Sequence, residues 1–101
     1  IYKGSRIARI AKKELQRYGN YSSVISTLPD RGKILIKNCG QGVLPLMAAL
    51  VKRNLTIEAT EADHDKLDIA RNCHSIPQNL LYIDHIDPAT TYDKVIDCLS
   101  L

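Results

Sequence analysis

An α/β fold built on a parallel sheet of about four strands is what this sequence predicts, and three observations predict it. Short β-rich runs alternate with amphipathic helical patterns from residue 32 onward, the order that gives right-handed crossovers between parallel strands. The first run, Ile34-Leu35-Ile36-Lys37, flows into Asn38-Cys39-Gly40-Gln41-Gly42, a glycine-bracketed turn that opens a helical pattern. Such a strand–turn–helix lets backbone and a helix N-terminus approach a nucleotide-like ligand. Finally, the turn at 38–42, Glu61 and the segment 84–87 all fall at expected carboxyl ends of strands. Ligands of open α/β sheets bind beyond those ends.

Each element has a local reason. Ser5 caps an expected helix over 6–18, whose Ile7, Ile10, Ala11, Leu15 and Tyr18 recur at helical spacing; Arg6, Arg9, Lys13 and Arg17 share its outer face. Gly19-Asn20 reads as its stop. A second helix over 22–28 offers Val24, Ile25 and Leu28 to the core before Pro29 ends it. After the turn at Asp30-Arg31-Gly32 comes a strand at 33–37. The helix over 43–52 follows, with Pro45 tolerable only in its first turn. Residues 55–60 form a second strand, Asp63 caps a helix over 64–73 carrying Leu67, Ile69 and Ala70, and Pro77-Gln78-Asn79 turns into a strand at 80–83. Asp87-Pro88 is another turn, and 93–99 is the fourth strand.

Composition bounds the function classes. One hundred and one residues with 45% hydrophobic and 25% charged content describe one small globular domain. A chain this size buries roughly 60–70% of its unfolded surface, enough for one core. No apolar run approaches the ~20 residues of a membrane span, and the basic, amphipathic N-terminal stretch does not read as a signal peptide. Cys39, Cys73 and Cys98 are odd in number and lack C-x-x-C spacing; reduced cytoplasmic thiols are the expectation. Cys73-His74 is too sparse for a metal site, so no metal is expected. The net charge of +3 is uneven. Residues 1–33 hold eight basic and two acidic side chains, residues 34–101 six and nine. The basic segment suits a solvated helix face, a neighbouring domain or an anionic surface. Without an aromatic stacking platform, nucleic acid is not expected as a partner.

Residues 34–42 resemble the first motif of class I S-adenosylmethionine-dependent methyltransferases, a strand entering a G-C-G-x-G-like turn. Glu61-Ala62-Asp63-His64-Asp65-Lys66-Leu67-Asp68-Ile69-Ala70-Arg71 resembles the family's acidic strand end followed by a helix ending in A-R. Glu61 lies 19 residues beyond Gly42, near the ~20 between loop and ribose acid in nucleotide-binding units. Residues 80–84 resemble the third strand, and Tyr92-Asp93-Lys94-Val95-Ile96 the fourth. The resemblance covers roughly residues 30–101, behind a helical preamble at 1–29. It implies a Rossmann-like sheet of order 3-2-1-4 with two N-terminal helices.

The same resemblance implies S-adenosylmethionine as cofactor. It would be held by Asn38, Gly40, Gly42, Glu61, Ala62 and Asp84: glycines for close backbone approach, Glu61 for the ribose hydroxyls, Ala62 beside the adenine, and Asp84 (or Asp87) for its amine. Two departures are expected to weaken or abolish binding. Ile36 stands where the family often has an acid, and Asn38 replaces the first loop glycine. Losing one charged hydrogen bond costs about 1.5–3 kcal/mol. Asn38 is the milder change, because asparagine tolerates left-handed backbone.

The family's seven strands are here four, and no Asn-Pro-Pro-Tyr-like motif is present. The expectation is therefore a reduced cofactor-binding half without assignable catalytic residues. His64, His74 and His85 read as surface residues. The alternative is a non-catalytic structural or interaction module. Pro45, where a dinucleotide fingerprint wants glycine or alanine, disfavours NAD(P). A shorter resemblance at residues 1–5 is to the methyltransferase-like tail of bacterial exporter and lysophospholipid acyltransferase fusions. It implies a neighbouring domain in a longer chain, in the cytoplasm or on the cytoplasmic side of a membrane. An unpaired sheet edge adds self-association, as a homodimer, to the expected partners.

Overall fold

β-Branched and leucine-rich runs collect into a four-stranded, all-parallel sheet of order β3-β2-β1-β4. Its strands are β1 (Gly32–Lys37), β2 (Leu55–Ala59), β3 (Leu80–Tyr82) and β4 (Lys94–Asp97). The computed structural model describes residues 18–101. The helix expected over 6–18, its Ser5 cap and its basic face lie outside the described residues. Three α-helices are described: α1 (Tyr18–Ser26), α2 (Val43–Val51) and α3 (His64–Arg71). Strand order and direction agree with the expected fold.

Register puts one residue set on the helix-covered face. Ile34 pairs with Ile57 and Ile36 with Ala59, Ile57 with Leu80 and Ala59 with Tyr82, and Ile36 with Ile96. These side chains join Leu44, Ala48, Leu67, Ala70, Tyr21, Ile25 and Leu28 in one core. The strand period of two sends the intervening residues to the opposite face. There Leu81, Glu58, Leu35 and Val95 form one row across the four strands. No described helix covers that row, and Leu81 and Val95 are 58% and 53% exposed.

Several boundaries differ from expectation. Gly19 and Asn20, read as a stop, lie inside α1. Burial of Tyr21 and Ile25, four residues apart on one helix face, outweighs a glycine penalty of about 1 kcal/mol. The fourth strand stops at Asp97 instead of 99, because the Asp97 carboxylate accepts from Leu99 N–H and turns Cys98–Ser100 into a 3₁₀ turn. The expected helix over 64–73 ends at Arg71. Asp63 caps it as the sequence predicts, accepting from the N–H groups of Asp65 and Lys66. Pro45 is the third residue of α2, within its first turn. Cys39 and Cys98 pack in the core.

Candidate functional site

β1 delivers the chain at Lys37 into the loop 38–42, which needs left-handed backbone three times: Asn38 has φ 54°, Gly40 61° and Gly42 89°. Glycine takes this region without strain, and asparagine more readily than other side chains. At Gly42 space matters as well. A Cβ there would collide with the Tyr82 hydroxyl oxygen and lie 3.0 Å from the Ala70 Cβ. Tyr82 donates its hydroxyl to the Gly42 carbonyl at 3.3 Å. The close approach expected at Gly42 is therefore made by the protein itself, which locks the loop onto β3. Asn38 donates its side-chain amide to Asp97 Oδ1 at 2.8 Å, tying the loop to the end of β4. That bond, followed by the one from Leu99 N–H, holds the Asp97 carboxyl below the ordinary carboxylate range.

Glu61, just beyond β2, grips the loop from the other side. Its Oε1 accepts the Gly40 N–H at 2.8 Å and its Oε2 the Asp63 N–H at 3.0 Å. A carboxylate offers about four acceptor positions, so two remain for hydroxyl donors. Asp84, beyond β3, pairs with Arg71 at 3.0 Å, both groups being partly exposed. Asp87 serves as a turn cap, its Oδ1 accepting from Ala89 N–H.

Asn38, Glu61, Ala62 and Asp84 line a single cleft of ≈ 230 Å³ at the carboxyl ends of the strands, together with Lys37 and Leu67. Gly40 and Gly42 do not line it; they shape the loop behind it. His64 and His85 also face this cleft, although both are exposed, whereas His74 does not. Ile36, at the position of the family's first acid, is fully buried in the core. The cleft can thus offer acceptors to hydroxyls and an amine, and an apolar patch at Ala62 and Leu67. Among the described residues, no group of three His, Cys, Asp or Glu side chains is placed to hold a metal ion.

Sequence reasoning missed three contacts: Tyr82 against Gly42, Asn38 to Asp97, and Glu61 to the Gly40 amide. All join residues at least 21 positions apart, and no local pattern marks them.

No family profile matches the sequence, and no curated protein matches it. Solved structures do resemble its fold. Coclaurine N-methyltransferase, in a complex with N-methylheliamine and S-adenosylhomocysteine, superposes with a TM-score of 0.59 at 21% identity, over 94% of this chain and 28% of that one. A TehB-like S-adenosylmethionine-dependent methyltransferase from Corynebacterium glutamicum superposes with a TM-score of 0.56 at 19% identity, over 90% of this chain and 55% of that one. The chain therefore has a methyltransferase-like fold and spans about a quarter to a half of the length of these two proteins.

Proposed function

We propose that this chain is a reduced methyltransferase-like domain that binds S-adenosylmethionine or its product weakly and works as part of a larger protein. The observation that carries the reading is the cleft itself. Glu61, Ala62, Asp84 and Asn38 come from three separate strand ends, yet line one hollow in a fold shared with methyltransferases. The residues fit the adenosine end of the group: Glu61 for the ribose hydroxyls, Ala62 beside the base, Asp84 for its amine. They fit the methionine end poorly, because Ile36 is apolar and buried. When bound, S-adenosylmethionine supplies an electrophilic methyl group. Among the described residues no acceptor pocket is assigned for it, so methyl transfer is not proposed for the chain alone.

Calorimetric titration with S-adenosylhomocysteine tests the reading, with Glu61→Ala as control. Binding in the submillimolar to millimolar range, lost in the control, is the expected result. No heat at several millimolar ligand would sink it.

A structural or interaction module is the second reading, favoured by how fully the loop is held by protein groups. Glu61, Tyr82 and Asp97 each bond to it. Under this reading the basic face of residues 6–17 docks a neighbouring domain, such as a lipid acyltransferase, or an anionic surface on the cytoplasmic side, and a free sheet edge allows pairing with a second copy. Among the described residues no helix is long and apolar enough to cross a membrane.

A further inference from the structure

The cleft at the carboxyl ends of the strands holds a donor pair that the adenosine reading leaves unused. The β1–β2 ladder runs one step past β2. Thr60 N–H donates to the Ile36 carbonyl at 3.0 Å, and the Thr60 carbonyl accepts from Cys39 N–H at 3.1 Å. Ile36 and Ala59 are paired and belong to the core. By the strand period of two, Lys37 and Thr60 therefore turn to the other face as cross-strand neighbours. Both are half-buried, and both line the cleft. Neither side chain has a hydrogen-bond or ion-pair partner among the described residues. An ammonium beside a hydroxyl, each with a donor to give, makes a subsite for an anion. The acids nearby are already engaged. Glu61 accepts two backbone N–H groups, and Asp84 is paired with Arg71. Asp97, the register partner of Lys37 on β4, accepts from the Asn38 amide and the Leu99 N–H.

Strand order sets where this subsite meets a ligand. The ends of β3, β2 and β1 follow one another across the sheet, about 4.8 Å apart. A nucleoside with its base at Asp84 and its ribose at Glu61 brings its 5′ carbon toward the end of β1, where Lys37 and Thr60 stand. His64 and His85 line the same cleft but at the ribose and base end, since His64 opens α3 and His85 follows β3. We propose that Lys37 and Thr60 hold a 5′-phosphate, and that the ligand of this cleft is an adenosine 5′-monophosphate. The inference rests on the adenosine-binding reading above and names its ligand class. A phosphate answers both donors with acceptor oxygens alone. An amino-acid tail also brings an ammonium, which meets the like charge of Lys37 and gains nothing from the apolar, buried Ile36. The volume of ≈ 230 Å³, below the ~300–1,000 Å³ of ordinary ligand pockets, also favours the shorter ligand.

The test titrates the full chain calorimetrically with adenosine, adenosine 5′-monophosphate and S-adenosylhomocysteine at one pH in one buffer, then repeats the series with Lys37→Gln. The monophosphate is expected to bind about tenfold tighter than either of the others, a charge-assisted contact's worth. In Lys37→Gln its dissociation constant should come within about threefold of that of adenosine. A second measurement needs no variant, so a misfolded mutant cannot blur the answer. On the unaltered chain, added potassium chloride should weaken binding of the monophosphate much more than binding of adenosine, because salt screens a charge contact. An advantage of the monophosphate below about threefold, or one that survives either the substitution or the salt, overturns the inference. S-Adenosylhomocysteine binding tighter than the monophosphate overturns it too, while the adenosine reading stands. If none of the three binds at several millimolar, the adenosine reading itself falls and this inference with it.

Discussion

At Gly42 a single hydrogen atom in place of a side chain decides how the loop meets the sheet. Gly42→Ala drives a methyl group into the Tyr82 oxygen at a φ of 89°. Overpacking costs about 1–3 kcal/mol, and the left-handed backbone adds about 1 kcal/mol or more. Adding Tyr82→Phe removes the nearest atom but leaves the strained φ. The double variant should therefore cost less than the two single ones summed, as urea unfolding of the four proteins measures. Asn38 answers a different need, since it tolerates its φ of 54° and also donates to Asp97. Asn38→Gly loses only the hydrogen bond; Asn38→Ala loses the bond and meets the backbone strain. The alanine variant is expected to be the less stable by about 1 kcal/mol, and equal unfolding midpoints would refute that division of labour. Neither partner was legible locally. Asparagine at 38 looks like a worn glycine until Asp97 is seen across 59 residues.

At the scale of elements, α2 is fastened at both ends by side chains from elsewhere. Its N-terminal loop is held by Glu61 and Tyr82. Near its C-terminus the Asn79 side-chain amide nitrogen donates toward the carbonyls of Ala49 and Lys52 at 3.2 Å and Leu55 at 2.9 Å. The sequence marks Asn79 only as part of a turn. Losing this clip removes a donor shared by these carbonyls, of which Lys52 keeps the Leu55 N–H at 3.0 Å, so Asn79→Ala should destabilise by about 1–3 kcal/mol. Asn79→Asp should be worse, because a carboxylate has no N–H to give and would face oxygens of like partial charge. Chemical denaturation of both variants checks the order, and an aspartate variant as stable as wild type would refute the clip. The elements themselves were largely readable. Alternation of β-rich runs and helical patterns placed the four strands, α2 and α3, and the helix expected over 22–28 overlaps α1 at residues 22–26, while Gly19-Asn20 hid the start of α1.

At the scale of the whole described fold, residues 18–101 form a sheet with helices on one face and, across the other, the connection between the edge strands β3 and β4. Tyr92, near the end of that connection, donates its hydroxyl to Glu58 Oε1 at 2.5 Å, and Lys33 pairs with Glu58 Oε2 at 2.9 Å. Asp93 accepts from Lys33 N–H at 2.8 Å while donating its own N–H to the Lys33 carbonyl. Burial first, then the bond to Glu58, pushes the Tyr92 phenol up to about 12. The bond from Tyr92 foremost holds Glu58 below the usual glutamate value. The raised phenol favours the folded state at every pH below its ordinary value near 10, and that contribution fades as pH climbs from about 10 toward 12. The lowered carboxylate acts in reverse: its contribution is present above about pH 4.5 and fades as acid protonates it in the folded state. Tyr92→Phe should flatten the alkaline limb of a melting-temperature profile between about pH 10 and 12 and reduce the acid limb. An unchanged alkaline limb would show that this clasp does not hold the connection.

While the strand order was implied by the family resemblance alone, the chain's alternating periods and its glycine-bracketed strand end determined the fold class and the end of the sheet where a ligand could enter. These are properties of nearest neighbours along the chain, where side-chain period and turn chemistry act. Tertiary structure alone decided how the loop is held: Tyr82 filling the space over Gly42, Glu61 bonding the Gly40 amide, Asp97 taking the Asn38 donor. Each depends on strand ends distant in sequence arriving at hydrogen-bond distance, which only the closed sheet brings about.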